Sequence, residues 1–176
     1  MSHFHILTGP PGSGKSTVLR RLSETCDTVE EPARRVLAQQ RRIDGQGTGD
    51  RNPALFVALM LEQAVRDHDA AQSVPGPVIF DRGLPDLLAY AAYWQLDTGP
   101  IDRAIAARSR AGKVFWFPAW QAIYTRDDER TLDFAGTQAF GPLVRSAYDN
   151  LGYKLIEMPP ADAETRAAFV AELIGA

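Results

Sequence analysis

The chain has little of what several functional classes require. One cysteine, Cys26, in 176 residues rules out an internal disulfide and any site built on several thiolates. That usage suits a reducing compartment, so the cytoplasm is the expected location. Three histidines leave few metal ligands. His3 and His5 alternate and can share one strand face, but no third ligand lies close in sequence, and a part-buried structural pair is expected. His68 falls in a polar helical stretch and is expected to face solvent. No uninterrupted apolar run is long enough for a bilayer, and the first residues lack a basic-then-apolar leader pattern, so no membrane role is expected. Lysine and arginine total 19 against 22 acids, a net charge of -3, which argues against broad nucleic-acid binding. An [NT]KxD guanine-reading pattern is absent, which leans towards ATP over GTP.

What the chain does contain is concentrated near its start. Gly9-Pro10-Pro11-Gly12-Ser13-Gly14-Lys15-Ser16, followed by Thr17, fits G-x-x-x-x-G-K-[ST]. Glycines let the backbone turn tightly and bring its N–H groups up to an anion. A following helix adds its unpaired N-terminal donors and positive dipole end. Lys15 then reaches the β- and γ-phosphates of ATP, and the Ser16 hydroxyl ligates Mg²⁺. The flanks agree: residues 3–8 read as a short buried strand, and residues 16–22 as a helix with Val18, Leu19 and Leu22 on one face.

Beyond the loop, strand and helix patterns alternate. Strands are expected near residues 28–29, 78–80, 114–117 and 153–158. Helices are expected over 32–42, 54–71 behind an Asn52 cap, 85–96, 101–110, 141–151 and 162–174. The segment 45–49 reads as a flexible link. Nearly continuous apolar strands indicate a parallel sheet covered on both faces, hence a doubly wound α/β domain with five strands, spanning 1–176 as one unit. In such sheets ligands sit beyond the carboxyl ends of the strands.

Three further clusters fall at those ends. Asp81 closes the apolar run Val78-Ile79-Phe80; it can hold Mg²⁺ or cap the next turn. Arg82 beside it suits bidentate phosphate contact. Glu30-Glu31-Pro32-Ala33-Arg34-Arg35 can orient an acceptor and take its proton, or be a charged helix start. Arg126 and Arg130, four apart, can close over a triphosphate as a lid or form a solvated face paired with Asp127, Asp128 and Glu129.

As a set, the residues Thr8–Ser16, Glu31-Pro32-Ala33-Arg34, Phe80–Asp86, Tyr124–Arg130 and Tyr148–Tyr153 resemble a known group. It is the P-loop kinase branch, and within it the nucleoside- and nucleotide-kinase-like ATPases that include the ribosylnicotinamide-kinase domain of NadR-type proteins, also termed an AAA domain. The resemblance implies a three-layer P-loop fold with the sheet order 2-3-1-4-5 and a mobile lid, placed here at about 119–135. Similar Glu-Pro and Asp-Arg pairs occur in deoxynucleoside and thymidylate kinases. That likeness implies Glu31 as base, Arg34 and Arg82 as contacts to a small-molecule phosphoacceptor, and the loop 159–162 against the purine base. Two functions are thereby expected as alternatives: a Mg-ATP-dependent kinase, or a nucleotide-dependent binding module or slow NTPase without an acceptor.

Overall fold

The computed structural model describes residues 2–120 and 134–176. Among the described residues twelve elements follow one another: β1 Phe4–Thr8, α1 Lys15–Leu22, β2 Asp27–Val29, α2 Pro32–Ile43, α3 Pro53–Ala71, β3 Val78–Asp81, α4 Asp86–Tyr93, α5 Gly99–Ala106, β4 Lys113–Trp116, α6 Phe134–Asn150, β5 Leu155–Glu157 and α7 Ala163–Ile174. The five strands form one sheet in the order β2-β3-β1-β4-β5, every pair parallel.

Strand periodicity explains both the layering and the apolar runs. Successive side chains point to opposite sides of a sheet. Leu7, Ile79 and Phe115 therefore face one side, where Val18, Leu19 and Leu22 of α1 and Val170 of α7 pack on them. Ile6, Phe80, Val114 and Trp116 face the other, against Phe140, Val144 and Tyr148 of α6. Beyond that layer, α2, α3, α4 and α5 share a core around Val36, Met60, Leu87 and Ile101. With both faces covered, the central strands have no polar alternation to show.

The same parity fixes the site. Asp81 is in register with Leu7 and shares the side of Ile79, so its carboxylate points at the start of α1. The Asn52 cap read from sequence is present, Oδ1 accepting from Leu55 N at 3.0 Å, and Asp162 caps α7 in the same way, Oδ1 accepting from Thr165 N at 2.8 Å.

Four readings need correction. Helix α6 begins at Phe134 and runs through Pro142, where the sequence suggested a start at 141; a proline suits a first turn and so mimics a boundary. Helix α4 spans Asp86–Tyr93 and stops short of Leu96, with Gln95 in the left-handed region. His68 is mostly buried, its ring edge-on to Phe4 at 4.9 Å and near Phe80 at 6.3 Å, because α3 lies along the sheet at that point. The segment 45–49 is pinned to α2: Gly45 N donates to Gln40 O, and Gly47 N to Gln40 Oε1, each at 2.8 Å.

Gly9 lies hard against the backbone that leaves β4. Its φ is +135°, and a Cβ there would lie 2.2 Å from Phe117 O. Phe117 N donates to Thr8 O at 2.8 Å, so β4 is already bonded beside that point and has nowhere to retreat. Gly9→Ala is expected to lower stability by about 1–3 kcal/mol, measurable as a shifted urea midpoint with an unchanged slope. An unchanged midpoint would contradict this packing.

Candidate active site

The glycine loop leaves β1 and enters α1 as the spacing requires. Gly12 and Gly14 have φ of +76° and +88°, and Gly14 is the N-cap of α1 without a side-chain cap bond. The first amides of α1 thus face outward with no capping oxygen, as an anion site needs. Lys15 folds back over the loop: its Nζ donates to Pro10 O at 2.8 Å, Gly9 O at 3.1 Å and Ser13 Oγ at 3.3 Å. Burial, helped by the nearby Arg82 charge, lowers its pKa to about 7. Ser13 Oγ donates to Pro10 O at 2.9 Å, and Arg166 Nη1 braces the loop from behind through Ser13 O at 3.1 Å.

Ser16 Oγ donates to Asp81 Oδ2 at 2.9 Å. The other oxygen, Asp81 Oδ1, is buried, and no donor among the described residues reaches it. Burial, reinforced by Glu31, raises the Asp81 pKa. A buried, half-used carboxylate beside a hydroxyl is a donor set that suits a hard divalent cation with water completing its shell. Mg²⁺ therefore fits these two residues.

Arg82 is the buried centre of the site and was legible only in part. Its backbone lies in the left-handed region, φ +71°, a strained position for a side-chain-bearing residue. Its Nε donates to Glu31 Oε1 at 2.6 Å, and its Nη1 to Gly9 O at 3.0 Å and Asp86 Oδ1 at 2.9 Å. Burial opposes its charge, but Glu31, Tyr90 and Asp86 more than offset this and hold the pKa well above the ordinary value. Glu31 is the N-cap residue of α2 yet makes no side-chain cap bond, because its carboxylate turns to Arg82. Burial would raise its pKa; Arg82 and Lys15 outweigh that and lower it, so it stays ionised. Arg34 Nε sits 3.9 Å from Glu31 Oε2.

Asp86 has a part the motifs did not reveal. Its Oδ1 accepts from Thr8 Oγ1 at 2.7 Å as well as from Arg82; its Oδ2 accepts from Gly83 N at 2.9 Å and Tyr148 OH at 2.5 Å. Burial, then Asp86, pushes the Tyr148 pKa well up, so the phenol stays a donor. The only sequence signal was the spacing Asp81-Arg82-x-x-x-Asp86, which places the second acid on the first turn of α4.

A cavity of about 400 Å³ joins these parts. Gly12, Lys15 and Ser16 line it together with Glu31 and Arg82 and the aromatic side chains Phe56, Tyr90 and Trp94. Tyr90 and Trp94 stack at 5.7 Å, and Phe56 meets Trp94 edge-on at 6.2 Å. Trp94 is a cavity wall. The phosphate-loop residues, Glu31, Arg82 and Asp81 are thus brought together, with Arg34 beside Glu31. Arg126 and Arg130, and most of the 119–135 segment, lie outside the described residues.

Asp86→Ala strands four buried donors, one of them charged. It is expected to cost about 3–5 kcal/mol of stability, read from denaturant unfolding. Asp50→Ala, at an exposed site, is expected to leave the unfolding midpoint nearly unchanged. Equal losses for the two would refute the hub.

The sequence profile of the AAA domain family matches residues 4–166. No curated protein sequence matches the chain. Solved structures share its fold at low identity. The NadR protein in complex with NR has a TM-score of 0.77 and 18% identity, over 98% of this chain and 52% of that one, so this chain spans about half of that protein's length. Deoxyadenosine kinase from M. mycoides, with products dCMP and dCDP bound, has a TM-score of 0.68 and 13% identity over 98% of each chain. Thymidylate kinase from Ehrlichia chaffeensis has a TM-score of 0.60 and 19% identity, again over 98% of each. The family profile, the parallel sheet order β2-β3-β1-β4-β5 and these neighbours agree: the chain belongs to the AAA domain family, within the P-loop nucleotide-kinase-like fold.

Proposed function

We propose that this protein transfers the γ-phosphoryl group of Mg-ATP to a small-molecule acceptor of the nucleoside, nucleotide or ribosylated-pyridine class. The observation that carries the reading is one cavity lined in common by the glycine loop, the Glu31–Arg82 pair and a group of aromatic side chains. A nucleotide-triggered binding surface has no need for an aromatic-lined cavity shared with its phosphate site. Nucleosides and nucleotides in the NadR and deoxyadenosine kinase structures support the same class.

The roles follow from the geometry. The amides at the start of α1 and the Lys15 ammonium, released from Gly9 O and Pro10 O, take the triphosphate tail. Mg²⁺ would be held by Ser16 and Asp81 and would neutralise charge on the phosphate oxygens. Arg82 is fixed by three carbonyl or carboxylate oxygens and supplies a permanent positive charge between loop and acceptor. Glu31 is ionised and can accept the acceptor's proton or orient it; a weak base suffices, since phosphoryl transfer passes through a loose transition state. The aromatic side chains exclude water and hold a planar group. Arg126 and Arg130 complete the reading as lid residues.

The decisive assay incubates the protein with labelled ATP, Mg²⁺ and pooled nucleosides, nucleoside monophosphates and ribosylnicotinamide. Acceptor-dependent appearance of a phosphorylated product is expected; hydrolysis indifferent to every acceptor would overturn the proposal. Lys15→Ala is expected to lower turnover by about 10²–10³-fold. Glu31→Gln should leave ATP affinity intact while transfer falls by roughly 10²–10⁴-fold. Equal transfer rates would return Glu31 to the part of a helix start.

Binding should also depend on pH in a defined sense. The Lys15 pKa of about 7 is depressed by burial, and bound phosphates favour the charged form. Above pH 7 nucleotide binding therefore takes up a proton, and affinity falls by up to about tenfold per pH unit as pH rises. Calorimetry at pH 8 in two buffers of different ionisation enthalpy measures the uptake. Lys15→Arg, always charged, should abolish it; uptake persisting in that variant would contradict the assignment.

A further inference from the structure

Part of the cavity wall is a segment that looks, in sequence, like a loose link. Thr48, Gly49 and Asp50 line the cavity beside Phe56 and Trp94. This segment carries no regular element of its own, yet it is tightly held. Gln40, on α2, is buried, with 6% exposure, an unusual place for a neutral amide. Its backbone oxygen accepts from Gly45 N, and its side-chain oxygen from Gly47 N, each at 2.8 Å. Asn52 N donates to Thr48 O at 2.9 Å and closes the segment onto α3.

The glycines are required by contact. A Cβ on Gly45 would lie 2.0 Å from Gln40 Oε1, and one on Gly47 2.4 Å from Leu59 Cδ1. A Cβ on Gly49 would lie 3.0 Å from Trp94 Cζ2. The backbone at Gly49 therefore runs directly against the indole. That indole is itself backed by Tyr90 and Phe56, so it has little freedom to yield except into the cavity.

We propose that the Gly47–Asp50 segment, pinned by Gln40, is the wall that sets which planar group the cavity accepts, with Gln40 a positioning residue and Gly49 a specificity-determining one. This rests on the phosphotransferase reading above. The ligand chemistry it selects is a planar heterocycle held against Trp94 and Tyr90, bounded in size by the Gly49 backbone. Removing the Gln40 side-chain oxygen leaves the buried Gly47 N–H unpaired and lets the wall drift. A displacement of about 1 Å at such a wall can cost up to about 10²-fold in acceptor use. None of these contacts involves the glycine loop, so ATP binding is untouched.

The test measures steady-state phosphorylation of purine and pyrimidine nucleosides and ribosylnicotinamide, with ATP affinity by calorimetry. In Gln40→Leu, acceptor KM is expected to rise by about tenfold or more, while kcat, ATP affinity and acceptor-free hydrolysis stay within about twofold. Gln40→Glu keeps an oxygen for Gly47 N–H and should restore most of the parent KM. Gly49→Ala, which keeps the Gly47 N to Gln40 Oε1 hydrogen bond, should lower the purine-to-pyrimidine ratio of kcat/KM by about fivefold or more. Unchanged acceptor KM in Gln40→Leu together with an unchanged ratio in Gly49→Ala would overturn the proposal. So would a parallel loss of kcat, KM and ATP affinity, the mark of a merely structural residue. A parent protein that phosphorylates none of these acceptors would overturn the phosphotransferase reading, and this inference with it.

Discussion

One guanidinium organises the molecule. Arg82 joins the exit of β1 through Gly9 O, the start of α2 through Glu31 and the start of α4 through Asp86. These three points are far apart in sequence and meet only because β3 lies between β1 and β2. A buried charge of this kind is costly unless every partner is in place. Its left-handed backbone adds strain that the surrounding bonds must hold. The arrangement is consequently all-or-none: when the sheet forms in its native order, the phosphate loop, the ionised Glu31 and the cavity floor arrive together.

The electrostatics around that centre are divided in a useful way. Burial strips Lys15 of much of its tendency to hold a proton, and the same burial makes Asp81 reluctant to ionise. For each group burial outweighs the opposite charges around it, so a further anion at Lys15 or cation at Asp81 would favour the charged form. Glu31 and Arg82 instead satisfy one another and remain charged. The site combines two responsive groups with one fixed pair, which is the division expected where a metal nucleotide enters and a neighbouring acceptor must be oriented.

The phosphate loop, the strand ends and the Asn52 helix cap were legible because each is a local signal. Gly9, Gly12 and Gly14 answer to backbone geometry within a few residues, and Asp81 to the parity of a single strand. Asp86 was not legible as a hub, since Thr8 and Tyr148 reach it from 78 and 62 residues away. Trp94 and Phe56 were equally hidden: an aromatic residue on a helix reads as core whether it faces the interior or a cavity. The segment 45–49 was misread because glycine marks both freedom and crowding, and only the position of Gln40 decides between them.

The account depends most on the backbone amides of residues 12–16 receiving a triphosphate. Titration of labelled protein with Mg-ATP, followed by amide resonances, addresses this directly. The account predicts that Gly12, Gly14, Lys15 and Ser16 shift together and saturate at one dissociation constant. Saturable shifts confined to residues elsewhere in the chain, with those four unmoved, would contradict it.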